Sequence, residues 1–292
     1  MLYAIPEMTG ANLRTARRSA GWTQQRLAEK LGVTQAYLSL MERGRRRVPD
    51  HVARSATRVL RLPATALPLP AAATLEAVPS ELWIEQALAR LGYPGLAYRK
   101  KPGPECNPVE LLLRALARDD LDPRLAEALP WLLLRFEGFP VELLAPLAKA
   151  GDLQNRLGFT VSLARQVADH NPHWRHRVSE LRNLEKSLED SRLAKEDTYG
   201  RIETGDRIRS WLRGQRSTAA AHWNLLTDLK REHLPYADDE DHGALVLAAE
   251  FPTTSTDGTR SATVGLESQS RLNAMTSIIQ CIARRYRGDS GR

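Results

Sequence analysis

Apolar positions recur at helical spacing along almost the whole chain. Leu27, Ala28 and Leu31 share one face of a short helix that opens after Thr23 and breaks at Gly32. Leu38 and Met41, three apart, give a second inward face that Val33 joins, and Thr34 stands where this helix begins. Threonine suits both openings because its hydroxyl accepts an orphan backbone N–H, and glycine suits the left-handed exit between them. Residues 10–62 read as a string of such short helices, with a fifth near 62–67. Residues 61–80 are rich in Pro and Ala and form a semi-rigid connector. Beyond it the spacing predicts helices over 80–91, 107–118, 122–136, 140–150, 153–170, 172–197, 205–213 and 217–233. Strand-type alternation is nearly absent, with 244–251 the single weak instance. The expected fold class is therefore all-α: an N-terminal domain of five short helices and a larger α-helical domain of stacked helical pairs.

The stacked pairs rest on an internal repeat. Residues 108–133 and 140–165 align without gaps at an offset of 32 and match at nine positions, including Pro-Val-Glu-Leu-Leu and Asp-Leu-x-x-Arg-Leu. Each copy reads helix, polar turn, helix, so each buries its apolar stripe against the next. The domain division that follows is 1–67 (head), 68–79 (linker), 80–233 (helical dimerisation or partner domain), 234–263 (acidic, then Ser/Thr-rich tether) and 264–292 (C-terminal amphipathic helix and tail). In the last segment Leu272, Met275, Ile279, Ile282 and Tyr286 repeat at 3, 4, 3, 4, a narrow stripe that suits packing in cis or a dimer or partner helix in trans.

Charge changes the picture. The net charge is +7, and residues 1–62 hold 12 Lys/Arg against 4 Asp/Glu while the rest hold 30 against 31. The whole cationic excess sits on a small N-terminal globule, as a polyanion-binding head requires. The face opposite Leu38 and Met41 carries Gln35, Ala36, Ser39, Leu40 and Arg43, a short, acid-free surface of the kind that enters a major groove. Gln35 suits an adenine edge, and Ala36 and Leu40 suit thymine methyls. Gln24 at a helix start, with Thr23, suits a phosphate, as do the hydroxyls of Thr34 and Tyr37. Arg43, Arg45, Arg46 and Arg47 follow at the exit, where a sugar-phosphate wall would stand.

Residues 13–50, LRTARRSAGWTQQRLAEKLGVTQAYLSLMERGRRRVPD, resemble the Cro/phage-repressor (XRE-like) helix-turn-helix. They carry its Leu-Arg-x-x-Arg first helix, Gly21-x-Thr23-Gln24, Leu27-Ala28, Leu31-Gly32-Val33-Thr34-Gln35, Leu38-Ser39 and Glu42-x-Gly44, with Val59-Leu60 and Leu62 closing the domain. The resemblance implies a double-stranded DNA operator as ligand, Gln24 and Gln35 as phosphate and base contacts, Ala36, Ser39 and Leu40 as readers, and Glu42 as a structural residue. Several relatives carry amides where Ala36 and Leu40 stand, so the implied readout leans on shape and methyl contacts. The segments EALPWLLLRF and DLQNRLGFTVSLAR loosely resemble DNA-binding antitoxins paired with nucleotidyltransferase-like toxins.

No nucleophile–base set, phosphate loop or carboxylate cluster is present, so the chain reads as no enzyme, with no cofactor. His170, His173 and His176 have zinc-compatible steps, but Pro172 interrupts them and solvated surface is the reading, with no metal. Two cysteines, Cys106 and Cys281, form no disulfide framework, and no segment is apolar enough to span a bilayer; no leader is legible, and a cytoplasmic location is expected. Trp131, Trp174, Trp211 and Trp223 read as core or subunit-contact anchors. The expected function is a dimeric, sequence-specific DNA-binding repressor, either the autoregulating antitoxin of a toxin–antitoxin pair or a regulator whose helical domain senses a ligand or peptide.

Overall fold

Three threonines start the first three helices. Thr9, Thr23 and Thr34 each accept a backbone N–H from three residues on, those of Asn12, Arg26 and Tyr37, at 3.1–3.2 Å. The computed structural model describes residues 8–70, 78–98, 103–202 and 205–238. In the head, α1 (Gly10–Ser19), α2 (Gln24–Leu31), α3 (Gln35–Glu42) and α4 (Asp50–Val59) enclose a core of Leu13, Leu27, Leu38, Met41, Val52 and Ala56. Gly32 leaves α2 at φ +68°, the left-handed exit expected there. The fifth helix is a single 3₁₀ turn, Ala64–Ala66.

The body is helical as well, which makes the described chain all-α apart from one two-residue pairing. Its elements are α5 (Glu81–Arg90), α6 (Pro108–Leu116), α7 (Pro123–Arg135), α8 (Val141–Ala150), α9 (Gln154–His170), α10 (Val178–Glu189), α11 (Gly205–Gln215) and α12 (Thr218–His222). The two repeat copies are α6–α7 and α8–α9, each with a polar turn between its helices. The pairs are arranged around α9, which packs against α6, α7, α8, α10 and α12 and is buried from Gln154 to Ala164 without a break. Trp131, Trp174 and Trp223 lie in this core; Trp211, on α11, is half-exposed.

Two predicted helices are shorter than the sequence spacing implies. The one expected over 172–197 is a 3₁₀ segment (Pro172–Arg177) followed by α10, which stops at Glu189. The one expected over 217–233 ends at His222. In their place, β1 (Asp197–Thr198) pairs in parallel with β2 (Leu225–Leu226). Buried polar groups of α9 hold the chain there. Asn155 donates to the Leu193 carbonyl at 2.9 Å and accepts from its N–H at 2.9 Å. Arg156 grips the Asp197 carboxylate with Nε and Nη2 at 2.7 and 2.9 Å. The alternation over 244–251, the stripe Leu272, Met275, Ile279, Ile282 and Tyr286, and Cys281 lie outside the described residues.

Head and body meet through the segment that follows α4. Leu62 and Ala66 pack on the head core and Ala64 on the body core. Asn107, which caps α6 through its side-chain oxygen, donates from Nδ2 to the carbonyls of Thr65 and Leu67 at 3.1 and 2.7 Å. Arg54 of α4 donates to the Glu105 carbonyl at 3.3 Å.

Candidate nucleic-acid interface

The orientation of α3 follows from its sequence at about 100° per residue. Leu38, Met41 and Glu42 fall on one side and are all buried. Ala36, Leu40 and Arg43 fall on the opposite side and are all exposed, and Gln35 projects from the first turn into solvent. An exposed leucine (37% for Leu40) on so short a helix serves no core. Past the helix end the chain turns at Gly44, φ +71°, and carries Arg45, Arg46 and Arg47 outward. Arg47 lies 3.6 Å from Asp50 with both side chains largely in solvent. Thr23 and Thr34 are exposed at the starts of α2 and α3.

Three of the expected contacts are placed differently. Ser39, expected among the outward readers, is buried at 9% exposure. It stands one residue step from Leu38 and about 60° from Glu42, on the flank of α3, and its short side chain does not reach past its neighbours. Gln24, expected to offer its amide outward, is half-buried and donates from Nε2 to Glu42 Oε2 at 2.8 Å. What that end of α2 presents is backbone: the first-turn N–H groups of Gln24 and Gln25, which no helix carbonyl can reach. Tyr37 is half-buried against the head core.

The group that fixes this surface is one that spacing alone points to only through Glu42. Arg17 of α1 donates from Nε and Nη2 to the two Glu42 oxygens at 2.6 and 2.9 Å, and from Nη1 to the Trp22 carbonyl at 2.7 Å. With Gln24 on the same carboxylate, one ion ties α1, α2, α3 and the α1–α2 turn together. Burial pushes the Glu42 carboxyl up, but the bonds from Arg17 and Gln24 outweigh it and hold the group below its ordinary value. Arg17 is held above its ordinary value by the Glu42 bond. A buried bidentate pair of this kind sets geometry more than it adds stability. The same closeness explains Gly10: a Cβ there would lie 1.7 Å from the Met41 carbonyl oxygen, so only glycine lets α1 meet α3 at this depth.

Among the described residues no helix is long and apolar enough to cross a membrane, and no group of three His, Cys, Asp or Glu side chains is placed to hold a metal ion. His170 and His176 bond backbone carbonyls of their own segment.

No curated protein matches this chain, and no solved structure does. The sequence model of the helix-turn-helix domain family matches residues 10–69, which covers the four head helices and the 3₁₀ turn. With α2 and α3 as the paired helices, residues 10–69 are a helix-turn-helix domain of the Cro/phage-repressor type, the kind of domain found in DNA-binding regulators.

Proposed function

We propose that the chain is a sequence-specific transcriptional regulator that lays α3 in the major groove of an operator half-site and represses as a dimer. The observation that carries this reading is the outward row Gln35, Ala36, Leu40 and Arg43, free of acids and followed at once by Arg45, Arg46 and Arg47. Gln35 offers an amide to a base edge, Ala36 and Leu40 offer methyls, and the arginines meet phosphates. Thr23, Thr34 and the α2 first-turn N–H groups add phosphate contacts; Tyr37 assists from the edge of the face, and Gln24 and Ser39 act by positioning. One such head touches few base pairs, and two heads one helical turn apart multiply affinity through effective concentration. A second reading concerns the body: the bonds that Asn107 donates to the Thr65 and Leu67 carbonyls, and the bond that Arg54 of the head donates to the Glu105 carbonyl, favour a domain that reports a bound ligand to the head over one that only pairs with a toxin.

Fluorescence anisotropy of a labelled duplex across a salt series tests the electrostatic half of this proposal. Replacing Arg45, Arg46 and Arg47 together by Ala lowers the slope of log K against log salt by about 3 for each bound head, near 0.9 for each phosphate no longer neutralised. An unchanged slope means that these residues do not meet the duplex.

A further inference from the structure

Four helices of the described chain are left through a glycine at positive φ: Gly21 after α1, Gly32 after α2, Gly44 after α3 and Gly92 after α5. The short polar residues Asp152 and Asn224 do the same after α8 and α12, but the exit of α4 carries a long side chain, Arg61, at φ +52°. Its N–H reaches the Arg58 carbonyl at 3.3 Å and the Leu62 N–H reaches Thr57 at 2.9 Å, the two bonds of a helix stop that glycine ordinarily supplies. A residue with a Cβ is strained in the left-handed region, and such strain, held in place by the surrounding structure, gathers at ligand clamps and switch regions. Arg61 is exposed, and among the described residues its side chain makes no hydrogen bond or ion pair that would account for it.

Arg61 lines a cleft of 240 Å³ between the head and the body. The head side is Thr57, Arg58 and the segment to Leu67; the body side is Arg90, Leu91, Glu105 and Cys106. Three guanidinium groups thus border it against one carboxylate. Glu105 lies 3.9 Å from both Arg58 and Arg90, too far for direct hydrogen bonds, so it balances these cations without saturating their donors. Leu62, Ala64, Leu67, Leu91 and Cys106 give the cleft apolar walls.

We propose that this cleft binds a small organic anion, a carboxylate or phosphate monoester with an apolar part, whose charged end is held by Arg61 with Arg58 and Arg90. A concave site with apolar walls and a surplus of two cations fits such a ligand; a DNA backbone needs a ridge or open groove. Since one wall is head and the other body, an occupied cleft fixes α4 on the body, and α3 with it. This deepens the ligand-responsive reading above and is independent of DNA binding, which is measured separately.

The test uses the full chain, thermal melts and calorimetric titration at constant ionic strength, with phenyl phosphate, benzoate and inorganic phosphate as probes. R61G relieves the backbone strain, so its melting midpoint without ligand equals or exceeds that of the parent. Phenyl phosphate or benzoate raises the parent's midpoint more than inorganic phosphate does, and R61G weakens the organic probe about tenfold or more, the reduction expected for a hydrogen bond to a charged group. E105Q, which removes the competing carboxylate, tightens it. The proposal is overturned if no organic probe shifts the parent, or if the shift is equal in parent and R61G. It is overturned equally if R61G spares all three probes and instead weakens duplex binding, which would make Arg61 a phosphate contact. Loss of duplex binding by the Arg45–Arg47 variant with the probe affinity intact separates the two proposals.

Discussion

Arg17 and Glu42 sit 25 residues apart in the chain and face each other as a fork on a carboxylate, Nε to Oε1 2.6 Å, with both side chains below 10% exposure. The pair decides which way α3 faces, because Glu42 is the last residue of α3 and Arg17 belongs to α1. Leaving one member without the other strands a buried charge. E42A therefore lowers the stability of the head by about 3–5 kcal/mol, while the double replacement R17M/E42L costs less than E42A alone. Urea unfolding of the single and double variants checks both values.

The same pair sets an acid limit. The Glu42 carboxyl is held below its ordinary value of 4.5 in the folded head, so the unfolded chain binds the proton more tightly. Its contribution is fully present above about 4.5 and is lost as pH falls through the lower folded value. Head stability measured between pH 6 and pH 3 falls in the parent, and E42Q, already destabilised at pH 6, shows a shallower fall.

Gly158 lies in mid-helix on α9, where alanine would ordinarily add up to about 1 kcal/mol. Here a Cβ would stand 2.4 Å from the Trp223 ring, which is wholly buried and donates its Nε1 to Ser162 at 2.8 Å. The clash reverses the sign: G158A destabilises the body by about 1–3 kcal/mol, read as a lower denaturation midpoint.

Arg156 spends its donors on Asp197, Asp119 and the carbonyls of Leu116 and Arg118, so it ties α9 to the α6–α7 turn and to β1. R156M strands those acceptors and lowers stability by about 3–5 kcal/mol; R156K recovers only part of this, because an ammonium cannot span the fork. Chemical denaturation of both variants, in that order of severity, is the check.

Much of this arrangement is legible in the sequence, for local reasons. Thr23, Gly32 and Thr34 announce their helix ends by chemistry that operates within one turn, and Leu38 with Met41 fixes the inward side of α3. The α6–α7 and α8–α9 pairs appear as a repeat because each buries the same stripe. What spacing does not disclose depends on partners far along the chain. Asn155 reaches Leu193 and Arg156 reaches Asp197, about 40 residues on, and these bonds end helical structure where periodicity alone would continue it. Gln24 departs from expectation because the buried Glu42 carboxylate draws its amide inward, which a helical wheel does not reveal, whereas Ser39 lies on the flank of α3 with a side chain too short to reach past its neighbours. Arg61 at a glycine position is invisible to any apolar pattern.

If α3 lies in the groove, Gln35 is the residue whose loss a base sequence feels most. A duplex selected from a randomised pool by the full chain, compared with random duplex of equal length at one salt concentration, supplies the two affinities needed. Q35A weakens binding to the selected duplex by about 1–3 kcal/mol and leaves the random duplex nearly unchanged. Equal weakening on both duplexes, or none on either, would contradict the placement of α3 in the groove.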